Sequence, residues 1–242
     1  MKASPPTRQT PWQQSKPWLL ALLPLALLVA GVFWGLHWML ARPVGQVAIY
    51  GEITYADQMA LQERALPWLN EPFWRVDLEG MQQSLVTDPW LAAVEITRRW
   101  PNQIDIHLYE HQAWAFWQDR GVLNASGELF FPQNRELLEL DLHFYASRED
   151  LPSLLVFYEQ LQSKLDKLNL KITEIQLEPR GAWRLQLEEG VILHLGRDNI
   201  EKRINRFLWA WQKWSASERE LIHVIDARYP NGLSVAWKRP TD

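Results

Sequence analysis

The sequence predicts an α+β protein with a single N-terminal transmembrane helix, a small β-α-α-β-β domain and a C-terminal mixed β domain with flanking helices. Three observations carry the prediction. From Trp18 to Leu40 the chain has no Asp, Glu, Lys or Arg. Between residues 104 and 110, apolar Ile104, Ile106 and Leu108 alternate with Asp105, His107 and Tyr109, the period of a half-buried strand. Beyond residue 113, short β-prone runs bounded by turn signals are interrupted by two helical patterns.

As a helix, residues 18–40 would span about 34 Å, enough for a bilayer core of about 30 Å. The run exceeds the 7–15 apolar residues of a cleaved signal peptide, and Trp18, Trp34 and Trp38 suit interfacial anchoring. Pro24 is tolerable in a membrane helix. The tail 1–17 carries Lys2, Arg8 and Lys16 and no acid, which places it in the cytoplasm and everything after Leu40 outside. The net charge of −4, less those three cations, leaves −7 for residues 18–242. An acidic ectodomain excludes nucleic acid as the partner. With no cysteine, the chain has no disulfide, thiolate nucleophile or thiolate metal site. The 15 tryptophans are read as packing residues first and sugar-stacking platforms second.

The small domain is expected at 44–112. Residues 44–50 form a strand, and Thr54-x-x-Asp57 has the form of a capping box opening a helix that runs to Leu66. Trp74–Val76 is a short edge piece. Asp77 caps a second helix with Leu78, Met81, Leu85 and Val86 on its buried face. Strands 92–99 and 104–110 follow around Trp100-Pro101-Asn102-Gln103. Two helices on one face of three strands close a small core.

The second domain is expected at 113–242. Strands are predicted at 113–118, 122–124 and 129–131, with an irregular charged stretch over 132–150. A helix runs from Leu151 to Leu168 with Pro152 in its first turn. Three strands follow at 171–177, 183–187 and 191–195. Asp198 or Asn199 caps a helix to Trp214 whose apolar face is Ile200, Ile204, Phe207, Leu208 and Trp211. Two last strands, 221–228 and 233–237, flank Tyr229-Pro230-Asn231-Gly232, where Asn-Gly signals a hairpin.

The chemistry-bearing motifs are few. No Gly-x-Gly-x-x-Gly, phosphate loop or Gly-x-Ser-x-Gly elbow occurs. His107-Leu108-Tyr109-Glu110-His111 spells an inverted zinc-protease motif, but on a strand the two imidazoles stand about 13 Å apart, too far for one ion. Acidic pairs such as Glu188-Glu189 flank turns, and nothing makes a positive case for catalysis, a metal or a cofactor. An anchored envelope hydrolase or carbohydrate-binding ectodomain is the alternative reading.

Three stretches resemble a known family. Arg99 to Glu110 reads RWPNQIDIHLYE and is similar to the signature W-P-x-x-L-x-I-x-L-x-E of the FtsQ/DivIB division proteins, with Ile104 for Leu. Leu195-Gly196-Arg197 followed by Arg203 and Arg206-Phe207 resembles that family's L-G-R…R-L-x-R-F. Val224 to Trp237 resembles V-D-L-R-Y-x-x-G-x-x-V-x-W. Asn124-Ala125-Ser126-Gly127 departs from the usual Asp-x-x-Gly and reads as a turn change. The resemblance implies that the small domain is a POTRA recruitment module and that the chain is a non-enzymatic divisome scaffold of the inner membrane, located at the septum. It implies that the β domain binds FtsB, in complex with FtsL, in the periplasm and helps control septal peptidoglycan synthesis. The implied contact residues are Arg180, Arg228, Tyr229, Asn231, Gly232 and Trp237. Val94, Ile96 and Arg98 lie in the family's recruitment region.

Overall fold

The structure, a computed structural model, describes residues 17–238, so the predicted tail falls outside the described residues except for Pro17. It opens with helix α1, Pro17–Leu40, of 24 residues with Pro24 inside it. The side chains of α1 are described continuously only from Pro24 to Met39, and among the described residues no helix is long and apolar enough to cross a membrane. The described residues divide into two compact units, one taking in residues up to 53 with 57–87 and 93–109, the other 54–56, 88–92 and those from 110 onward.

The first unit contains β1 (Gln46–Tyr50), α2 (Gln58–Ala65), α3 (Leu78–Val86), β2 (Leu91–Arg99) and β3 (Gln103–Glu110), the last two strands being shared at their outer ends with the second unit. The strand order is β1-β3-β2, with β1 parallel to β3. The alternation in β3 does what its period predicts: Ile104, Ile106 and Leu108 are buried with Leu61, Met81 and Leu85. Three local expectations need correcting. Thr54 does not cap α2. Asp57 does, its carboxylate accepting the N–H groups of Met59 (2.9 Å) and Ala60 (3.3 Å), so the helix starts later. Asp77 caps α3 as expected, but Val86 is exposed. Trp74–Val76 forms no strand. This segment is held from outside, by Arg98 donating to the carbonyls of Phe73 (3.3 Å) and Val76.

The second unit is built on a nine-stranded sheet. Its strands are β4 (Ala113–Trp117), β5 (Gly121–Asn124), β6 (Leu129–Phe130), β7 (His143–Tyr145), β8 (Ile172–Leu177), β9 (Trp183–Leu187), β10 (Ile192–Gly196), β11 (Ile222–Asp226) and β12 (Ser234–Trp237). Their order is β12-β11-β10-β9-β8-β7-β4-β5-β6. Strand β7 lies inside the charged stretch expected to be irregular. It is three residues long and joins two halves of the sheet, parallel to β4 on one side and β8 on the other. Phe144, fully buried at its centre, explains why so short a strand holds. Helices α4 (Leu151–Leu165) and α5 (Ile200–Lys213) complete one core, giving it Leu154, Leu161 and Leu165 from α4 and Ile204, Phe207 and Trp211 from α5. The strand predicted from Leu221 starts one residue later, because Ser215 and Glu218 form a capping box that makes residues 216–221 the short helix α6.

The second unit also binds segments 54–56 and 88–92. The Glu110 carboxylate accepts the N–H groups of Thr54, Tyr55 and Ala56 at 2.8, 2.8 and 2.7 Å. Trp90 stacks on Tyr55 with ring centroids 4.6 Å apart and donates its indole N–H to Asn134 (2.6 Å), which donates to the Tyr55 carbonyl (3.2 Å). The last residue of the Trp-Pro signature is thus an anion serving three backbone donors. Replacing Glu110 by Ala leaves them without their acceptor, and hydrogen bonds to a charged group contribute about 1.5–3 kcal/mol. We expect Glu110→Ala to destabilise the protein by about 3 kcal/mol, read by urea denaturation, and to speed amide exchange at Tyr55 and Ala56 before that in β9 and β10.

Candidate partner-binding edge

The sheet of the second unit ends at β12, which pairs antiparallel with β11 on one side, Asp226 opposite Ser234 and Ile222 opposite Trp237. Among the described residues no strand lies on its other side. A strand edge presents unpaired N–H and C=O groups that another extended chain can complete. Ser234, Ala236 and Trp237 are exposed, and Tyr229 and Trp237 keep 56% and 48% of their surface open.

The loop from Ala227 to Leu233 that leads into β12 is not the two-residue hairpin that Asn-Gly signals. Gly232 has no positive φ, and a Cβ there would meet nothing within 4 Å. The loop is held instead by two half-buried arginines one helical turn apart on α5. Arg203 donates to the carbonyls of Leu195 (2.5 Å) and Arg228 (3.1 Å). Arg206 donates to those of Tyr229 (2.6 Å) and Gly232 (2.7 Å). They can reach the loop because Ile204, Phe207 and Trp211 fix the rotation of α5 in the core and leave both arginines beside that buried face. Gly196 ends β10 with φ +67°, and a Cβ on it would lie 2.7 Å from Arg203 Nη1 and 3.2 Å from Arg228 Cγ. Here both the backbone conformation and the available space call for glycine.

Arg228 is oriented by Asp226. Its Nε lies 2.9 and 3.1 Å from the two carboxylate oxygens, its Nη2 2.7 Å from one, and its backbone N–H donates to the same group at 2.9 Å. This uses one edge of the guanidinium. Among the described residues Nη1 makes no hydrogen bond, so the end facing solvent retains donors for a second carboxylate. The hydrogen bonds from Arg228 hold the Asp226 carboxyl below the usual carboxylate range.

The residues expected to bind a partner are not one cluster. Arg228, Tyr229, Asn231 and Gly232 lie in one loop, while Trp237 is at the far end of β12, about 10 Å away along the strand. Arg180 is exposed in the turn between β8 and β9, at the same end of the sheet as the loop but about 15 Å from the edge at ordinary strand spacing. In the first unit Val94 is core, only 1% exposed, Ile96 is half-buried, and Arg98 is engaged with the Phe73 and Val76 carbonyls. His107 stacks on Tyr50, while His111 stacks on Phe130 and meets Asn124 Nδ2 at 3.0 Å. The departure at Asn124 is therefore more than a turn change: Oδ1 accepts from Ser126 (3.0 Å) and Glu128 (2.8 Å) to shape the turn, while Nδ2 reaches the imidazole. Sequence reading missed the clamping role of Arg203 and Arg206, although both stand in the stretch that carries the resemblance.

Residues 42–111 match the family model described as POTRA domain, FtsQ-type, and residues 115–228 match that of the cell division protein FtsQ/DivIB, C-terminal. Among curated relatives, the cell division protein FtsQ of Hahella chejuensis is 33% identical over 227 residues, 90% of this chain and 76% of that protein. The Allochromatium vinosum FtsQ is 30% identical over 90% of each chain, and that of Neisseria gonorrhoeae 29% over 90% of this chain and 89% of its own. A POTRA unit followed by this mixed β unit defines a modular cell-division protein. The chain belongs to the FtsQ/DivIB family.

Two predictions follow from this geometry. Gly196→Ala should displace Arg203 and destabilise the protein by about 1–3 kcal/mol, the range for a residue forced into an unfavourable backbone region, measured as a lowered denaturation midpoint. Burial is the first cause lowering the pKa values of His111, His143 and His194, with nearby arginine charge adding to the shift at His143 and His194. Below about pH 6.5 the unfolded chain therefore binds more protons than the folded one. Stability is lost as pH falls through that value, and above it these groups contribute nothing. Scanning calorimetry should show a lower Tm at pH 5.5 than at 7.5, and a smaller difference once His143 and His194 are both replaced by Gln.

Proposed function

We propose that this chain is a non-catalytic scaffold of the divisome, linking early and late division proteins by binding FtsB, in complex with FtsL, at the β12 edge and so helping control septal peptidoglycan synthesis. The observation that carries this reading is the one-sided β12, open along its backbone and flanked by exposed Tyr229 and Trp237. A partner strand added there gains main-chain hydrogen bonds, Tyr229 buries a ring, and Arg228 offers its free guanidinium end to a partner acid. Asn231 and Gly232 border the docking path, with Gly232 leaving room for close approach. Arg180, farther off, meets a more distant part of the partner.

In the same reading the uncharged run 18–40, helical over Pro17–Leu40, is a single inner-membrane anchor at the division septum, with residues 1–17 cytoplasmic and 44–242 periplasmic. Residues 44–112 form the recruitment module and 113–242 the FtsB-binding domain. On β2 the recruitment region is Val94, Ile96 and Arg98, of which Val94 is buried.

The test is calorimetric titration of the full-length protein in detergent micelles with the FtsB–FtsL complex. Tyr229→Ala should weaken binding by about 2 kcal/mol, as for an aromatic anchor, with an unchanged circular dichroism spectrum. Wild-type affinity in that variant would remove the proposal.

A further inference from the structure

We propose that Arg206 is a positioning residue for partner binding: it holds the Tyr229–Gly232 loop in its docking shape without touching the partner itself. This rests on the FtsB-binding reading above. Loops of this kind usually take their shape from one of two sources, a glycine in the left-handed region or backbone hydrogen bonds across the turn. Neither operates here. Gly232 has no positive φ, and among the described residues no backbone–backbone hydrogen bond involves residues 229–232. The stretch also contains Tyr229, Asn231 and Gly232, three of the residues expected to meet the partner.

Arg206 takes over that work. Its Nη1 donates both to the Tyr229 carbonyl (2.6 Å) and to the Gly232 carbonyl (2.7 Å), tying the two ends of the turn to one atom. The atom is itself fixed. Arg206 precedes Phe207, which is fully buried, and stands one turn beyond Arg203, which holds the adjoining Arg228 carbonyl at 3.1 Å. A cation on a core-packed helix thus sets where the Tyr229 ring starts from. Without it, the segment must be ordered at the moment of association, which weakens binding through lost preorganisation rather than lost contact.

The experiment is a double-mutant cycle on the full-length chain in detergent micelles, with the FtsB–FtsL complex as probe. Arg206→Ala should raise Kd about tenfold, and Arg206→Lys, whose ammonium can still serve both carbonyls, should stay within about threefold of wild type. Because Arg206 acts through Tyr229, the Arg206→Ala/Tyr229→Ala double variant should bind no worse than Tyr229→Ala by more than about twofold, a coupling that a general loss of stability does not produce. Amide exchange at residues 229–233 of the free protein should accelerate in Arg206→Ala while that of β9 and β10 stays unchanged. If Tyr229→Ala weakens binding but Arg206→Ala does not, or if their losses simply add, the positioning role is wrong and the FtsB reading stands. If Tyr229→Ala itself binds like wild type, the FtsB reading falls and this inference with it.

Discussion

The second unit depends on where its sheet stops. A nine-stranded sheet leaves two edges, and each edge strand exposes backbone groups to any passing chain. One edge is β6, only two residues long, and shortness alone makes it a poor template. The other is β12, which carries no proline and no charge between Ser234 and Trp237. Natural edges are usually blunted by such residues, so leaving them out here keeps the edge usable. The same four residues are exposed or half-buried, and their one neighbour, β11, is anchored by fully buried Ile222 and Ile225. A rigid strand thus supports an open one.

Everything close to that edge is organised by α5. Its apolar face buries Ile204, Phe207 and Trp211, which fixes both the position and the rotation of the helix. Once the rotation is fixed, Arg203 and Arg206 can only point toward the β10 end and the loop after β11. Gly196 leaves the space in which Arg203 and Arg228 cross. Core packing thereby determines the placement of the surface cations. Asp226 does the same for Arg228 from the neighbouring strand, using one edge of the guanidinium and leaving the other outward.

Much of the fold was legible in the residues. Period-two alternation marked β3, and the Asp77 cap and spacing marked α3. The apolar stripe of α5 marked a helix and, with it, the core. What escaped was set by contacts distant in sequence. β7 is a strand because Phe144 is buried between β4 and β8, and three residues in a charged stretch carry no period to read. Thr54 has the spelling of a cap, yet its N–H belongs to Glu110, 56 positions away. Trp74–Val76 was β-prone but is claimed by Arg98. At the candidate site the residues themselves could be named from resemblance, while their separation could not: one-dimensional order gives no sign that Trp237 stands down the edge strand and Arg180 across the sheet from Tyr229.

The stretches that carry the family resemblance also serve less as contacts than as architecture. Glu110 satisfies three backbone donors, Gly196 clears a crossing, and Arg203 and Arg206 tie down carbonyls. Each role constrains the residue type, because a shorter acid or an added methyl cannot be absorbed at these distances, and a lost cation leaves the loop carbonyls without a donor. Contact surfaces obey a looser rule, since an aromatic ring or a strand edge can meet many partners. Motif likeness in this chain therefore identifies the scaffold that holds a surface in place, and the surface has to be found by asking which backbone groups and rings that scaffold leaves unpaired. By that criterion the loop after β11 and the outer side of β12 are where, among the described residues, the second unit leaves strand backbone and aromatic rings open.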